Sequence, residues 1–158
     1  MFRSGIGYDA HRFGEGRKLI LGGVEIPHPR GLEGHSDADV LSHAIADALL
    51  GAIGECDIGH HFPNTDESIR GISSLEILSR VGKIVMQKNS RIVNLDATLI
   101  AEAPRIAPHL AAMRKRISAA LAIDISCVGI KATTNEGMGA VGRGEGIVAM
   151  AVASVIQS

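Results

Sequence analysis

Asp9 and His11 stand two residues apart directly after the β-favouring Ile6-Gly7-Tyr8. On an extended strand that spacing points both side chains to one face. His43 lies in a helical segment that can pack on that face, so Asp9, His11 and His43 are read as one metal site. One carboxylate oxygen and two imidazole nitrogens form a borderline-soft donor set suited to zinc, and three protein ligands leave a fourth position for a substrate atom. An open metal is a chemical tool, which points to an enzyme.

A second constellation is Lys131-Ala132-Thr133-Thr134-Asn135-Glu136-Gly137-Met138-Gly139, a strand end running into a glycine-rich loop. Its hydroxyls and main-chain amides suit phosphate oxygens, and Glu136 offers a hard oxygen ligand for a divalent cation. Taken bare, Thr-Thr-Asn is also an ordinary turn. Gly142-Arg143-Gly144-Glu145-Gly146 reads as a solvated turn or as a charge pair at a subunit interface. His35 fits a loop histidine, and Asp39 is explained by helix capping without any chemistry.

These groups need a scaffold. Residues 3–11 are expected to form a strand, and residues 19–27 a short hairpin turned by Gly22-Gly23. From Asp37 to Gly54 the pattern becomes helical, with Val40, Leu41, Ala44, Ile45, Ala48, Leu49 and Ile53 on a broad apolar face, Ser36 as N-cap and Asp39 three residues on, as in a capping box. Asp39, His43 and Asp47 make a polar stripe along it. Residues 58–72 lack periodicity and form the longest irregular stretch, a lid-like loop. Helices are expected over 73–87 and 107–122, and strands over 91–101, 127–134 and 146–156. The fold class is α+β: a single domain, residues 1–158, with one mixed sheet of about four strands plus a small hairpin and helices on one face. If the other sheet face also needs burial, neighbouring subunits are its natural cover.

The 158 residues suffice to bury one core without staples. Lys and Arg number 16 against 17 Asp and Glu, a net charge of −1 that offers no footprint for nucleic acid or an anionic membrane. Cys56 and Cys127 lack paired spacing and are expected to be reduced core residues. With no leader sequence visible and no apolar run long enough to span a bilayer, a cytoplasmic protein is expected.

Several stretches in register, GYDAHRF at 7–13, HSDADVLSHAIADALLGA at 35–52, DIGHHFPNTD at 57–66, AEAPRIAPH at 101–109, and KATTNEGMG with GRGEGI at 131–147, resemble the 2-C-methyl-D-erythritol 2,4-cyclodiphosphate synthase family. The resemblance implies a homotrimer joined through its sheets, with active sites between subunits. These would convert a CDP-linked methylerythritol 2-phosphate into the cyclic diphosphate and CMP in the non-mevalonate isoprenoid pathway. It implies zinc on Asp9, His11 and His43, magnesium or manganese on Glu136 with the substrate diphosphate, and transition-state stabilisation by His35 and Thr134. It further implies contacts to sugar and phosphates from Ser36, Asp57, Gly59, Phe62 and Asp66. Ala101, Pro104, Arg105, Ile106, Ala107 and Thr133 would form the cytidine pocket, and Arg143 and Glu145 would line the trimer axis, with Arg143 also among the substrate contacts. Asn64, Arg105 and Ala140 depart from the usual Asp, Lys and Phe of that family. Two rival readings stay open on the residues alone: a zinc phosphoesterase using water, and a non-catalytic trimeric binder of isoprenoid diphosphates.

Overall fold

The computed structural model describes residues 1–158. Strand β1 (Phe2–Gly14) leads into a hairpin of β2 (Leu19–Leu21) and β3 (Val24–Ile26), then a two-residue β4 (Gly31–Leu32). Helix α1 (Val40–Ala52), a single turn α2 (Ile58–His61) and helix α3 (Ser74–Gln87) follow. Strand β5 (Ser90–Ile100), helix α4 (Leu110–Leu121), strand β6 (Val128–Thr133), the single turn α5 (Gly139–Gly142) and strand β7 (Gly146–Gln157) complete the chain.

The main sheet has the order β4-β1-β7-β5-β6, all antiparallel except the β5–β6 pair. It is thus the expected mixed sheet, with the short β4 as a fifth strand on the β1 edge; the hairpin stands apart as its own two-stranded sheet. Helices α1, α3 and α4 cover one face. Eleven of the thirteen residues of α1 are buried, because the helix lies between the sheet and α3 and has almost no solvent side.

The close approach of α1 to β1 has a simple cause. A Cβ on Gly7 would sit 1.9 Å from the Ala44 carbonyl oxygen, and one on Gly5 would sit 2.2 Å from that of Ala48. Glycine at alternate positions lets a helix backbone rest directly on a strand. The next two residues on that same face are Asp9 and His11, so the contact that seats α1 also aims its first turn at them.

Ser36 is not the N-cap of α1; Asp39 is, accepting from Ser42 N at 3.1 Å. Ala38 stands at a φ of 55°, which turns the chain left-handed just before the helix and prevents a start at residue 37. Asp39 also accepts from Gly22 N (2.9 Å), Gly23 N (2.7 Å) and Ser42 Oγ (2.8 Å), tying the helix start to the hairpin turn. Ser73, expected as the first helical residue, is the N-cap of α3, and the stretch at 58–72, expected to be irregular, contains α2 and a 3-10 turn over Glu67–Ile69. Cys56 is exposed and Cys127 half-buried, so neither is the core residue expected; Cys56 lies in the link before α2 and Cys127 at the end of a short turn, rather than on a buried face.

The uncovered sheet face carries Ile6 opposite Val152 and Tyr8 opposite Met150. Ile6 is 68% and Val152 47% exposed, so an apolar ladder lies open along the centre of the sheet.

Candidate active site

The three side chains read as ligands converge. Asp9 Oδ2 lies 2.9 Å from His11 Nε2 and 3.0 Å from His43 Nδ1, and the two nitrogens are 3.3 Å apart. A tetrahedral shell with bonds of about 2.0–2.1 Å has ligand-to-ligand edges of about 3.3 Å. The triangle is therefore close to the face of a zinc-sized tetrahedron, and no fourth His, Cys, Asp or Glu closes it. His11 Nδ1 donates to the Glu33 carbonyl oxygen at 2.6 Å, which fixes the ring with Nε2 toward Asp9; Nε2 hydrogen-bonds the Asp9 carboxylate and is the nitrogen that would bind a metal.

Without a metal these groups hold one another. Burial pushes the Asp9 carboxyl up, but hydrogen bonds and charge from His11 and His43 outweigh it and hold the group well below the usual carboxylate range. Burial pulls His11 down, while its bond to Asp9 more than reverses this and raises it.

The triad forms the floor of a cleft of about 330 Å³ lined also by His35, Ser36, Gly59, Phe62 and Asp66. The segment around His35 is held by its main chain. Arg17 donates to Gly34 O at 2.6 Å and to Ser36 O at 2.5 Å, straddling His35, whose own carbonyl accepts from Gly71 N at 3.2 Å. Ser36 Oγ lies 3.2 Å from His43 Nε2 and accepts from Ala38 N at 3.1 Å. Asp57 is not on the cleft wall; it caps α2 through His60 N at 3.0 Å. Asn64 stands on the wall with Asp66, so the departure from Asp removes one charge from the cleft rim.

A second cleft, of about 230 Å³, brings together Ala101, Pro104, Arg105, Ile106, Ala107, Thr133 and Thr134, with Glu102. It sits at the same end of the sheet as the triad. His11 pairs with Ile147 on β7 and Ile100 with the adjacent Val148, so β7 separates the two sites. No residue lines both clefts, and one chain does not join them. Glu136 is exposed on the loop after β6, at a φ of 50°, with its Oε1 3.3 Å from Thr134 Oγ1. Arg143 lines neither cleft; it pairs with Glu145 at 2.7 Å.

Three structuring residues escaped the sequence reading. Arg17 was silent because its targets are carbonyls. Glu102 accepts from Asn135 N at 2.9 Å and Gly137 N at 3.2 Å and so shapes the Thr134–Glu136 loop; its place inside the AEAPRIAPH stretch was the available signal. Ser74, beside His43, falls within the helix expected over 73–87, where its spacing carries no sign of a role.

A family model described as the YgbB family matches residues 2–156. The chain belongs to the YgbB family. Its relatives agree with that membership. The 2-C-methyl-D-erythritol 2,4-cyclodiphosphate synthase of Alkaliphilus metalliredigens is 60% identical over 156 residues, covering 99% of this chain and 98% of the relative. The protein of the same name from Chlorobium luteolum is 57% identical over 150 residues, covering 95% and 96%. Among solved structures, the bifunctional IspDF of Campylobacter jejuni superposes with a TM-score of 0.94 at 37% identity, over 98% of this chain and 42% of that larger one. The Plasmodium falciparum IspF in complex with CDP superposes with a TM-score of 0.86 at 34% identity, over 99% and 97%. As a YgbB-family member the chain has the α+β architecture of those structures.

Proposed function

We propose that this chain converts 4-diphosphocytidyl-2-C-methyl-D-erythritol 2-phosphate into 2-C-methyl-D-erythritol 2,4-cyclodiphosphate and CMP, a cyclising phosphorus-oxygen lyase step of non-mevalonate isoprenoid biosynthesis. The observation that carries this reading is the open Asp9–His11–His43 triangle beneath His35 and Ser36, in a chain 60% identical to a synthase of that name.

The nucleophile is the substrate's own 2-phosphate, whose second pKa near 6 leaves it largely dianionic at neutral pH. No protein base is required. An oxygen of the 2-phosphate forms a bond to the β-phosphorus while the bond from that phosphorus to the oxygen bridging the α-phosphate breaks, and CMP leaves with the electron pair. Holding the two ends of a flexible molecule together is the main task, since oriented intramolecular attack can recover about 7–11 kcal/mol of barrier. Asp9, His11 and His43 are the residues to hold zinc, and Glu136 the residue to hold magnesium or manganese with the diphosphate. When bound, these cations supply Lewis-acid polarisation of the β-phosphate and neutralise charge on the departing CMP.

His35 and Thr134 are assigned to donate to oxygens that gain charge in the transition state. Ser36, Asp57, Gly59, Phe62 and Asp66 are assigned to the methylerythritol phosphate. The second cleft, with Ala101, Pro104, Arg105, Ile106, Ala107 and Thr133, is assigned to cytidine. Arg105 keeps the positive charge of the usual Lys but presents a planar fork. Arg143, paired with Glu145, faces a neighbouring subunit in this reading. The separation of the two clefts in one chain, and the open apolar ladder on the sheet, favour a homotrimer whose active sites lie between subunits. A cytoplasmic location is consistent with two unpaired cysteines and no helix long and apolar enough to cross a membrane.

The test is to incubate pure protein with the CDP-linked substrate and magnesium and follow phosphorus resonances. Cyclic diphosphate with one equivalent of CMP is expected. Linear phosphates would instead mark a phosphoesterase, and no CMP at all a binding protein.

A further inference from the structure

We propose that Ser74, backed by Asp37, is a positioning residue that fixes His43 in the orientation and tautomer presenting Nδ1 to Asp9 and His11. The inference rests on reading those three side chains as metal ligands. A neutral imidazole carries one N–H and one lone pair, so a histidine ligand is useful only if something else takes its other nitrogen.

For His43 that partner is Ser74. Its Oγ lies 2.9 Å from His43 Nε2, and the residue is wholly buried. A hydroxyl beside an imidazole can donate or accept, and its direction is decided one step further out. Ser74 Oγ makes a short hydrogen bond to Asp37 Oδ1, and a carboxylate can only accept. Ser74's single hydrogen is therefore committed to Asp37, and toward His43 it has only lone pairs. Nε2 must carry a proton and donate it to Ser74; Nδ1 faces Asp9 Oδ2 at 3.0 Å, donating to it in the absence of a metal and presenting its lone pair once a metal takes the place of that proton. Ser36 Oγ, 3.2 Å from the same Nε2, is a second and weaker acceptor.

Asp37 is held in place by main-chain donors. Its Oδ2 accepts from Ser74 N at 3.1 Å and its Oδ1 from Asp39 N at 3.2 Å. Ser74 N is one of the amides opening α3 that have no partner within the helix, and Asp37 supplies one at a helix end that favours a negative charge. The chain of contacts runs Asp37, Ser74, His43, and it joins the start of α3 to the first turn of α1. A carboxylate oriented behind a metal-bound histidine is a recurrent arrangement; here a serine is interposed.

The experiment uses the full-length protein and zinc alone. Zinc affinity is measured by competition with a chromophoric chelator, and the imidazole nitrogens of the loaded protein are observed by 15N NMR. In the wild type, His43 should show a protonated Nε2 whose hydrogen exchanges slowly with water. Ser74→Ala should weaken zinc by roughly 10–100-fold and speed that exchange, Ser74→Thr should restore both, and Asp37→Asn should weaken zinc to a lesser degree. A loaded wild type protonated at Nδ1 overturns the proposal, and this needs no variant to fold. So does a folded Ser74→Ala protein with unchanged affinity and exchange. His43→Ala separates the two ideas: stoichiometric zinc retained in that variant defeats the ligand reading itself, whereas zinc lost there and unaffected by Ser74→Ala defeats only the positioning role.

Discussion

Asp9 and His11 form an ion pair when no metal is bound, and the two partners leave opposite marks on stability. Asp9 sits below its ordinary 3.8 in the folded chain, so its contribution is present above that pH and fades as pH falls toward the folded value. His11 sits above 6.5, so its contribution is complete below 6.5 and is lost as pH rises through the raised value. The metal-free protein thus draws on the pair in mildly acidic solution and loses it on the alkaline side. Metal binding needs both imidazoles neutral and therefore works in the opposite direction. We expect the rise in Tm on adding zinc to chelator-treated protein to be small at about pH 5.5 and to grow by about pH 8. Thermal scans with and without zinc across that range check this; an increment independent of pH would remove His11 from the ligand set.

At the scale of elements, the α1–β1 contact sets how close the triad can come. Gly7→Ala pushes a methyl into the Ala44 carbonyl, where backbone rather than a flexible side chain must yield. A loss near the upper end of the usual overpacking range, about 3 kcal/mol, is expected from urea midpoints, together with weaker zinc binding as His43 is displaced. Gly51, on the helix side of the same contact, is a built-in control. A Cβ there would lie 3.9 Å from its nearest neighbours, so Gly51→Ala should be neutral or gain up to about 1 kcal/mol of helix propensity. If both glycines tolerate alanine equally, helix and strand are not in the contact described.

Much of this geometry was legible. A spacing of two on β1 and an apolar helical face around His43 are local signals, and together they imply the triad. The helix start was not legible, because nothing in Ser36-Asp37-Ala38 announces that Ala38 turns left-handed and hands the cap to Asp39. The single turns α2 and α5 and the two-residue β4 are shorter than one period of any pattern. Arg17, Glu102 and Ser74 act through main-chain groups or through residues more than ten positions away, a relation that sequence spacing does not encode.

For the whole molecule, the sheet face opposite the helices decides whether a single chain is a sufficient unit. Ile6 points away from the triad, because alternate residues of β1 face opposite sides, and it has little to lose within one chain at 68% exposure. Ile6→Asp should therefore leave the fold and zinc stoichiometry intact while breaking the subunit contact that the proposed trimer makes through Ile6, Tyr8, Met150 and Val152. On the proposed trimer, sedimentation velocity should show the variant as a monomer and the wild type as a trimer, and CMP release should fall at least a hundredfold, because the Asp9–His11–His43 triad and the cleft proposed for cytidine share no wall within one chain. Zinc content and urea midpoint serve as internal controls. A monomeric variant with full turnover would mean that one chain completes the site by itself, and the two clefts would then have to be joined by movement of the 58–72 and 134–139 segments rather than by a neighbouring subunit.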